Sequence, residues 1–427
     1  KQESLSQVPK TCLVLYSENF ADSLDIYEQF RLIFCDMKVG YDAVEVSKQT
    51  KFDFSKYETV VVMLSDLAPL GENILGLCEY VQNGGSVLFA NTLVKSPHTA
   101  IIETKLGILD SSYSYAVCES MYISPEYMIG GGRSFEIDDA FESSWAVQLD
   151  PEKTTVYAYS DGDYKVPLVW KTPYGKGEFV VTNFGMYEKA WRGFYAAAYS
   201  LLSDVCVYPV INGSVFYIDD FPSQIPSGEN EYITRDYHTS IRDFYVNIWW
   251  PDMMNFADKY GLKYTGLAIQ CYDDAVDGTT ETAADKGTFL NFGNMLLRHG
   301  GELGYHGYNH QPLCLSNFKF IGSLGYKTWE SYDAMRKAFD ELVDLCDELF
   351  PQVKMEIYVP PSNILSPEGR EFLLNEYDQI KTISGIYFKD LLIGPSCEQE
   401  FEVSKDGIVD QPRVVSGCKL ENFMSIA

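Results

Sequence analysis

Two stretches hold side chains that could do chemistry together. In Tyr217-Ile218-Asp219-Asp220-Phe221-Pro222 two adjacent carboxylates close a short apolar strand, and further on comes Gly304-Tyr305-His306-Gly307-Tyr308-Asn309-His310. Neighbouring carboxylates repel, so both stay ionised cheaply only when a cation takes one of them. His306 and His310 stand four apart, and one helical turn would set both imidazoles on one face, a spacing that suits tetrahedral zinc. With Asp220 as a third ligand, coordination positions remain open for water and Asp219 stands free beside them, the constellation of a hydrolase. Taken singly, Asp-Asp reads as a turn or a solvated pair and HxxxH is a weak signal. The meaning lies in the conjunction, one motif ending a strand and the other opening a glycine-rich loop, where α/β folds keep working residues.

The pair resembles the first two motifs of the polysaccharide deacetylases of the NodB-homology group, carbohydrate esterase family 4. There a Thr-Phe-Asp-Asp-Gly segment supplies a base and a metal carboxylate, and a longer segment ending in His-x-x-x-His supplies two metal histidines. By this resemblance Asp219 is the catalytic base, and Asp220, His306 and His310 bind a divalent metal, zinc first with cobalt or nickel as alternatives. The family's Arg-Pro-Pro-Tyr motif corresponds to Val359-Pro360-Pro361-Ser362-Asn363. Ser362 then offers its backbone N–H to the oxyanion, a role independent of side chain. Val359 stands where the family has the arginine that orients the base, leaving Arg370 and Arg413 as candidates for that duty. The family also uses a late histidine as acid, whereas the histidines here are His98, His238, His299, His306 and His310. More narrowly, the Asp-Asp-Phe-Pro variant, the Asn247–Met253 stretch and an added N-terminal domain resemble a deacetylase-like branch found with bacterial exopolysaccharide genes, including Pel-type systems.

The resemblance implies a metal-dependent deacetylase acting on an N-acetylhexosamine-containing exopolysaccharide or cell-surface glycan. It also implies an extracytoplasmic location, secreted or anchored, and exopolysaccharide biosynthesis proteins as partners. The vacant acid position keeps an alternative open, a catalytically impaired scaffold that binds polysaccharide or biosynthetic partners. A metal-dependent amidase with another substrate is a third.

Composition bounds the rest. A net charge of −28 argues against nucleic acid and anionic membrane surfaces, and would attract the cationic amines that deacetylation creates. No run of 18 apolar residues occurs, and Lys1 at the start reads as a trimmed edge. The ten cysteines show no CxxC pair.

The elements that must position these groups follow from periodicity. At 427 residues and 46% apolar content two or three domains can form full cores. Residues 1–206 read as an α/β parallel-sheet domain, flavodoxin-like or glutamine-amidotransferase-like: strands at 11–16, 42–46, 59–64 and 86–90 alternate with helices at 21–34 and 71–82. Ala90-Asn91-Thr92 stands where an amidotransferase has its nucleophilic cysteine, and Ser17-Glu18-Asn19-Phe20 replaces a glycine-rich phosphate loop, so this domain is expected to be structural or substrate-guiding. From 113 to 182 the pattern becomes short alternating strands, with Gly130-Gly131-Gly132 as a turn. Residues 207–427 alternate strand and helix with the motifs at strand C-termini, which fits a distorted (β/α) barrel of NodB type. The stretch from Phe221 to Ile248 is long for a loop and reads as a lid or substrate wall. Trp249 and Trp250 would either stack on sugars or pack the start of the next helix.

Overall fold

The structure, a computed structural model, describes residues 8–49, 51–162, 165–222, 228–283, 285–320, 322–386, 388–390, 394–395 and 401–413. The chain divides into two compact units, Lys1–Ile211 and Asn212–Ala427. Both are α/β, each built on a sheet with parallel strands.

In the first unit β1 (Lys10–Tyr16), α1 (Ala21–Met37), β2 (Gly40–Glu45), β3 (Thr59–Val62), α2 (Asn73–Gln82) and β4 (Ser86–Phe89) alternate. There follow β5 (Ile108–Ile123), β6 (Arg133–Leu149), β7 (Thr155–Ser160), β8 (Pro167–Tyr174), β9 (Gly177–Thr182) and α3 (Arg192–Ser200). The order across the sheet is β2-β1-β3-β4-β9-β8-β7-β5-β6; the first five run parallel and the rest antiparallel. Parallel strands are covered on both faces, so their sequences read as unbroken apolar runs such as Val60-Val61-Val62. Alternate residues go to opposite layers: Cys12, Val14 and Val61 pack with Phe30, Phe34 and Tyr195, while Leu13, Leu15 and Val60 pack with Ile74, Leu77 and Val81.

The region expected to hold short strands has them in β7, β8 and β9, but it opens on a hairpin of 16- and 17-residue strands, β5 and β6. Their register shifts four times, and such bulges let pairing continue past residues that interrupt the alternation.

The second unit contains β10 (Phe216–Phe221), α4 (Glu231–Tyr237), α5 (Ile241–Phe244), α6 (Trp250–Tyr260), β11 (Tyr264–Ile269), α7 (Lys286–Arg298), β12 (Glu302–Gly307) and α8 (Tyr332–Leu349). It continues with β13 (Ile357–Tyr358), α9 (Pro367–Glu376), β14 (Thr382–Gly385), the small pair β15 (Phe388–Asp390) and β16 (Gly394–Pro395), β17 (Glu402–Val403) and β18 (Val409–Pro412). Strands β10, β11, β12, β13, β14 and β18 lie side by side in chain order, all parallel, with β17 antiparallel outside β18. Among the described residues no backbone ladder joins β18 to β10. Side chains cross instead: the Tyr217 hydroxyl donates to Gln411 Oε1 at 2.9 Å and Arg413 Nη1 to Asp219 Oδ2 at 2.9 Å.

Helix α8 shows why the scaffold is rigid. Ser331 caps it by accepting from the Ala334 N–H, and Met335, Ala338, Phe339, Leu342 and Leu345 recur at helical spacing on its buried face. The Phe339 ring meets those of Tyr305, Tyr358 and Tyr377 at centroid distances of 5.6, 5.9 and 4.6 Å, tying α8 to β12 and β13. The described residues of the stretch from Phe221 to Ile248 are largely helical: they include α4, α5 and a π-turn, Tyr245–Trp249, that runs into α6. Trp250 is fully buried, stacked on Phe292 at 5.0 Å and beside Phe221, so it packs the helix start and offers no face to a sugar.

Candidate metal centre

The site lies at the C-terminal ends of β10 and β12. A regular strand would point Asp219 and Asp220 to opposite faces. Between Ile218 and Phe221, however, β10 holds one more residue than the paired stretch of β11, and Asp220 takes φ 54°, a left-handed conformation that Asp tolerates better than most residues. The bulge re-aims the carboxylates, which allows both to serve one site. Phe221 anchors it: its ring lies so close over Gly266 that a Cβ there would come within 2.9 Å.

The histidines are not on a helix. His306 belongs to β12, at a register shift against β11, and the chain turns away at Gly307 (φ 139°). His310 stands four residues on in a loop, itself left-handed at φ 62°. The expected juxtaposition is present, made by a folded-back loop where a helical turn was expected, because the strand continues through His306 and Gly307 lets the chain reverse. Side-chain amides fix this loop. Asn309 Nδ2 donates to Asp273 Oδ1 (2.8 Å) and to the Ala275 carbonyl (2.7 Å), Gln311 Oε1 accepts from the Lys327 N–H (2.8 Å), and the Tyr308 hydroxyl accepts from the Glu281 N–H (2.7 Å).

One ligand atom each from Asp220, His306 and His310 lie within 4.8 Å of one another. His306 Nε2 is 3.6 Å and His310 Nε2 3.4 Å from Asp220 Oδ1. Two ligands on one tetrahedral zinc, each about 2.0–2.2 Å from it, stand about 3.3–3.6 Å apart, so each histidine stands from Asp220 Oδ1 at the spacing a shared cation requires.

Electrostatics point the same way. His306 Nδ1 lies 2.7 Å from the Val359 carbonyl; a carbonyl only accepts, so Nδ1 carries the proton. Burial pushes the His306 pKa below its ordinary value of 6.5, against the opposing pull of Asp219 and Asp220, and favours a neutral ring. Its Nε2 then presents a lone pair to Asp220 Oδ1, a buried oxygen with no hydrogen-bond donor among the described residues. Two acceptors facing each other is an arrangement that a cation between them relieves. The donor set, two imidazoles and a carboxylate, suits zinc, cobalt or nickel.

Asp219 stands beside these groups with its oxygens differentiated. Oδ2 accepts from Arg413, whereas buried Oδ1 has no hydrogen-bond partner among the described residues. Arg413 follows β18, is 13% exposed, lies 5.8 Å over the Tyr217 ring, and is tied to β14 through its N–H to the Gly385 carbonyl at 3.0 Å. Of the two arginine candidates, then, Arg413 is the one that meets Asp219. Arg370 instead clamps Asp406 and Asp410 through four bonds of 2.7–3.1 Å.

Ser362 lies in the turn after β13, where both Ser362 (φ 48°) and Asn363 (φ 61°) are left-handed. Strained backbone of this kind recurs at functional sites. The turn is held by Asn363 Oδ1 accepting from the Ile386 N–H, and the Ser362 hydroxyl lies 2.6 Å from that of Tyr326. Tyr326 was not singled out from sequence. It sits in an irregular segment without periodicity, and its ring is 5.6 Å from that of His310. Tyr272 stands 6.2 Å from the same imidazole.

In the first unit, Asn91, at the position where an amidotransferase nucleophile would sit, is held by side chains from elsewhere in the unit. Asn91 donates to Asp22 and accepts from the Tyr187 hydroxyl, at 2.8 and 2.7 Å. No helix among the described residues is long and apolar enough to cross a membrane.

A search of curated proteins finds no match. Among solved structures the chain is similar to Gan42B, a GH42 β-galactosidase from G. stearothermophilus, at 20% identity and a TM-score of 0.33 over 45% of this chain and 29% of that one. It is similar to a β-galactosidase from Bacillus circulans sp. alkalophilus at 11% identity and a TM-score of 0.33, over 45% and 30%. A ThuA-like protein from Bacteroides uniformis matches at 13% identity and a TM-score of 0.35, over 46% and 93%. The chain thus spans less than a third of the length of these β-galactosidases, and similarities of this size assign it no activity. One family matches nearly end to end, over residues 4–164 and 135–427, and the chain belongs to it: DUF2194, described as an uncharacterised protein conserved in bacteria.

Proposed function

We propose that the protein is a metal-dependent deacetylase that removes N-acetyl groups from a hexosamine-containing bacterial exopolysaccharide or cell-surface glycan. What carries this is the convergence of three metal donors on a carboxylate, Asp219, whose one oxygen is held by Arg413 and whose other is left without a partner. In this proposal the second unit is a polysaccharide deacetylase-like (β/α) barrel of NodB type. The first is a flavodoxin-like or amidotransferase-like domain with no nucleophile of its own. An extracytoplasmic setting and exopolysaccharide biosynthesis partners belong to the same proposal.

A divalent cation held by Asp220, His306 and His310 would polarise the acyl oxygen and lower the pKa of water there toward about 7. The remaining work falls to the chain. Arg413 fixes Asp219 Oδ2, so Oδ1 is the oxygen that takes the attacking water's proton. The Val359 carbonyl fixes the His306 tautomer and turns Nε2 toward Asp220. The Ser362 backbone N–H serves the oxyanion. A catalytically impaired scaffold binding polysaccharide or biosynthetic partners is the competing proposal, favoured by the absence of any histidine beyond His310.

The test is acetate release from a partly acetylated hexosamine oligomer by protein stripped of metal and reloaded with Zn²⁺, Co²⁺ or Ni²⁺. Metal-dependent release, lost in Asp219→Asn, is the expected result. Stoichiometric metal binding without acetate from any substrate would favour the scaffold.

A further inference from the structure

An amine cannot leave a tetrahedral adduct as an anion, so amide hydrolysis needs a proton donor besides the base. Asp219 is occupied with the water's proton, and His306 and His310 face Asp220 as ligands. His299 precedes β12, at the opposite end of the strand from the site, and its Nδ1 lies 2.7 Å from Asp258. His238 is exposed on the C-cap of α4, and His98 belongs to the first unit.

We propose that the phenol of Tyr326 donates the proton to the leaving amine, an assignment that rests on the deacetylase proposal above. Its half-buried ring packs 5.6 Å from that of the ligand His310, and its hydroxyl is 2.6 Å from Ser362 Oγ, so it is bracketed by the two loops that build the site. The chain is pinned just after it, by the Lys327 N–H to Gln311 Oε1 at 2.8 Å and the Trp329 N–H to the Cys314 carbonyl at 2.9 Å. Of the paired hydroxyls, the phenol is the stronger acid, and an aliphatic alcohol is suited to donate a hydrogen bond to the phenolate that forms. As the C–N bond breaks, its electron pair goes to nitrogen, which takes the Tyr326 proton. The phenolate is then reprotonated, through water, by the proton that Asp219 took from the nucleophile. Products are the carboxylic acid, which ionises, and the free amine, so both side chains are reset.

Tyr326→Phe keeps the ring against His310 and removes the proton. Metal-loaded wild type and variant are compared on the acetylated hexosamine oligomer and on 4-nitrophenyl acetate, whose leaving group departs without protonation. Turnover of the amide is expected to fall about 10²–10⁴-fold while that of the aryl ester is unchanged, with zinc stoichiometry and unfolding midpoint as in wild type. Equal losses on both substrates, or none on either, would overturn the assignment. So would a wild type that cleaves the ester but not the amide, leaving the metal and base in place. A wild type that cleaves neither with any metal sinks the deacetylase proposal, and the role of Tyr326 with it.

Discussion

Asp220→Asn should stabilise the metal-free protein while abolishing its response to metal. In the wild type Asp220 Oδ1 is a buried acceptor without a donor, facing the Nε2 atoms of His306 and His310 at 3.6 and 3.4 Å. An unsatisfied buried acceptor costs about 1–3 kcal/mol, and the lower end applies because the Asp220 side chain is 34% exposed. An amide Nδ2 at that position can donate to a histidine lone pair, and Asn is at ease at φ 54°. The gain in metal-free protein is therefore about 1 kcal/mol. Zinc at 100 times its Kd should raise wild-type stability by about 2.7 kcal/mol and leave the variant where it was. Urea unfolding followed by tryptophan fluorescence, in chelator and in zinc, reads all four numbers. A variant less stable than wild type in chelator, or stabilised by zinc as much as wild type, would refute the argument from facing acceptors.

Substitutions at the two arginines separate positioning from folding. Arg413→Met should lower kcat on the oligomer about 10²-fold, with zinc affinity unchanged, since it frees Asp219 without touching a ligand; Arg413→Lys should recover part of the loss. Arg370→Met leaves Asp410, 5% exposed, without its cation and should cost about 3–5 kcal/mol by urea unfolding, most of it restored by adding Asp410→Asn. The Arg370 clamp also holds the Asp406 pKa below its ordinary value of 3.8. That contribution is present above this value and lost as pH falls through the depressed one, so unfolding followed below about pH 4 should show a steeper slope in wild type than in the Arg370 variant.

The chemistry of the site was legible where it depends on residue type. Asp-Asp closing an apolar strand and His-x-x-x-His opening a loop identify the donors, and their juxtaposition in the structure matches that expectation. What could not be read was how the backbone delivers them. An i, i+4 pair is ambiguous between a helix and a folded-back loop, and the side-chain amides that decide the matter, Asn309 and Gln311, act on residues distant in sequence. A one-residue bulge is likewise invisible to a period-two pattern, yet it re-aims the Asp219 and Asp220 carboxylates. Arg370 and Arg413 are equally charged and equally late in the chain. Only the order of the strands brings the second to Asp219. Tyr326 carried no pattern, because its position is set by two loops that meet in space.

The seam between β10 and β18 has a consequence for biosynthesis. All three cation donors have been made by His310, and the strands that carry them, β10 and β12, are neighbours through β11. The arginine that holds Asp219 comes with the last parallel strand, and it crosses to the first by side chain alone. A nascent chain therefore carries Asp220, His306 and His310 well before Arg413, and Asp219 acquires its partner only once β18 has docked. A chain broken between α9 and β18 is expected to chelate and yet lack an oriented base: ion uptake reports that the pocket has formed, and only turnover reports that the chain was finished.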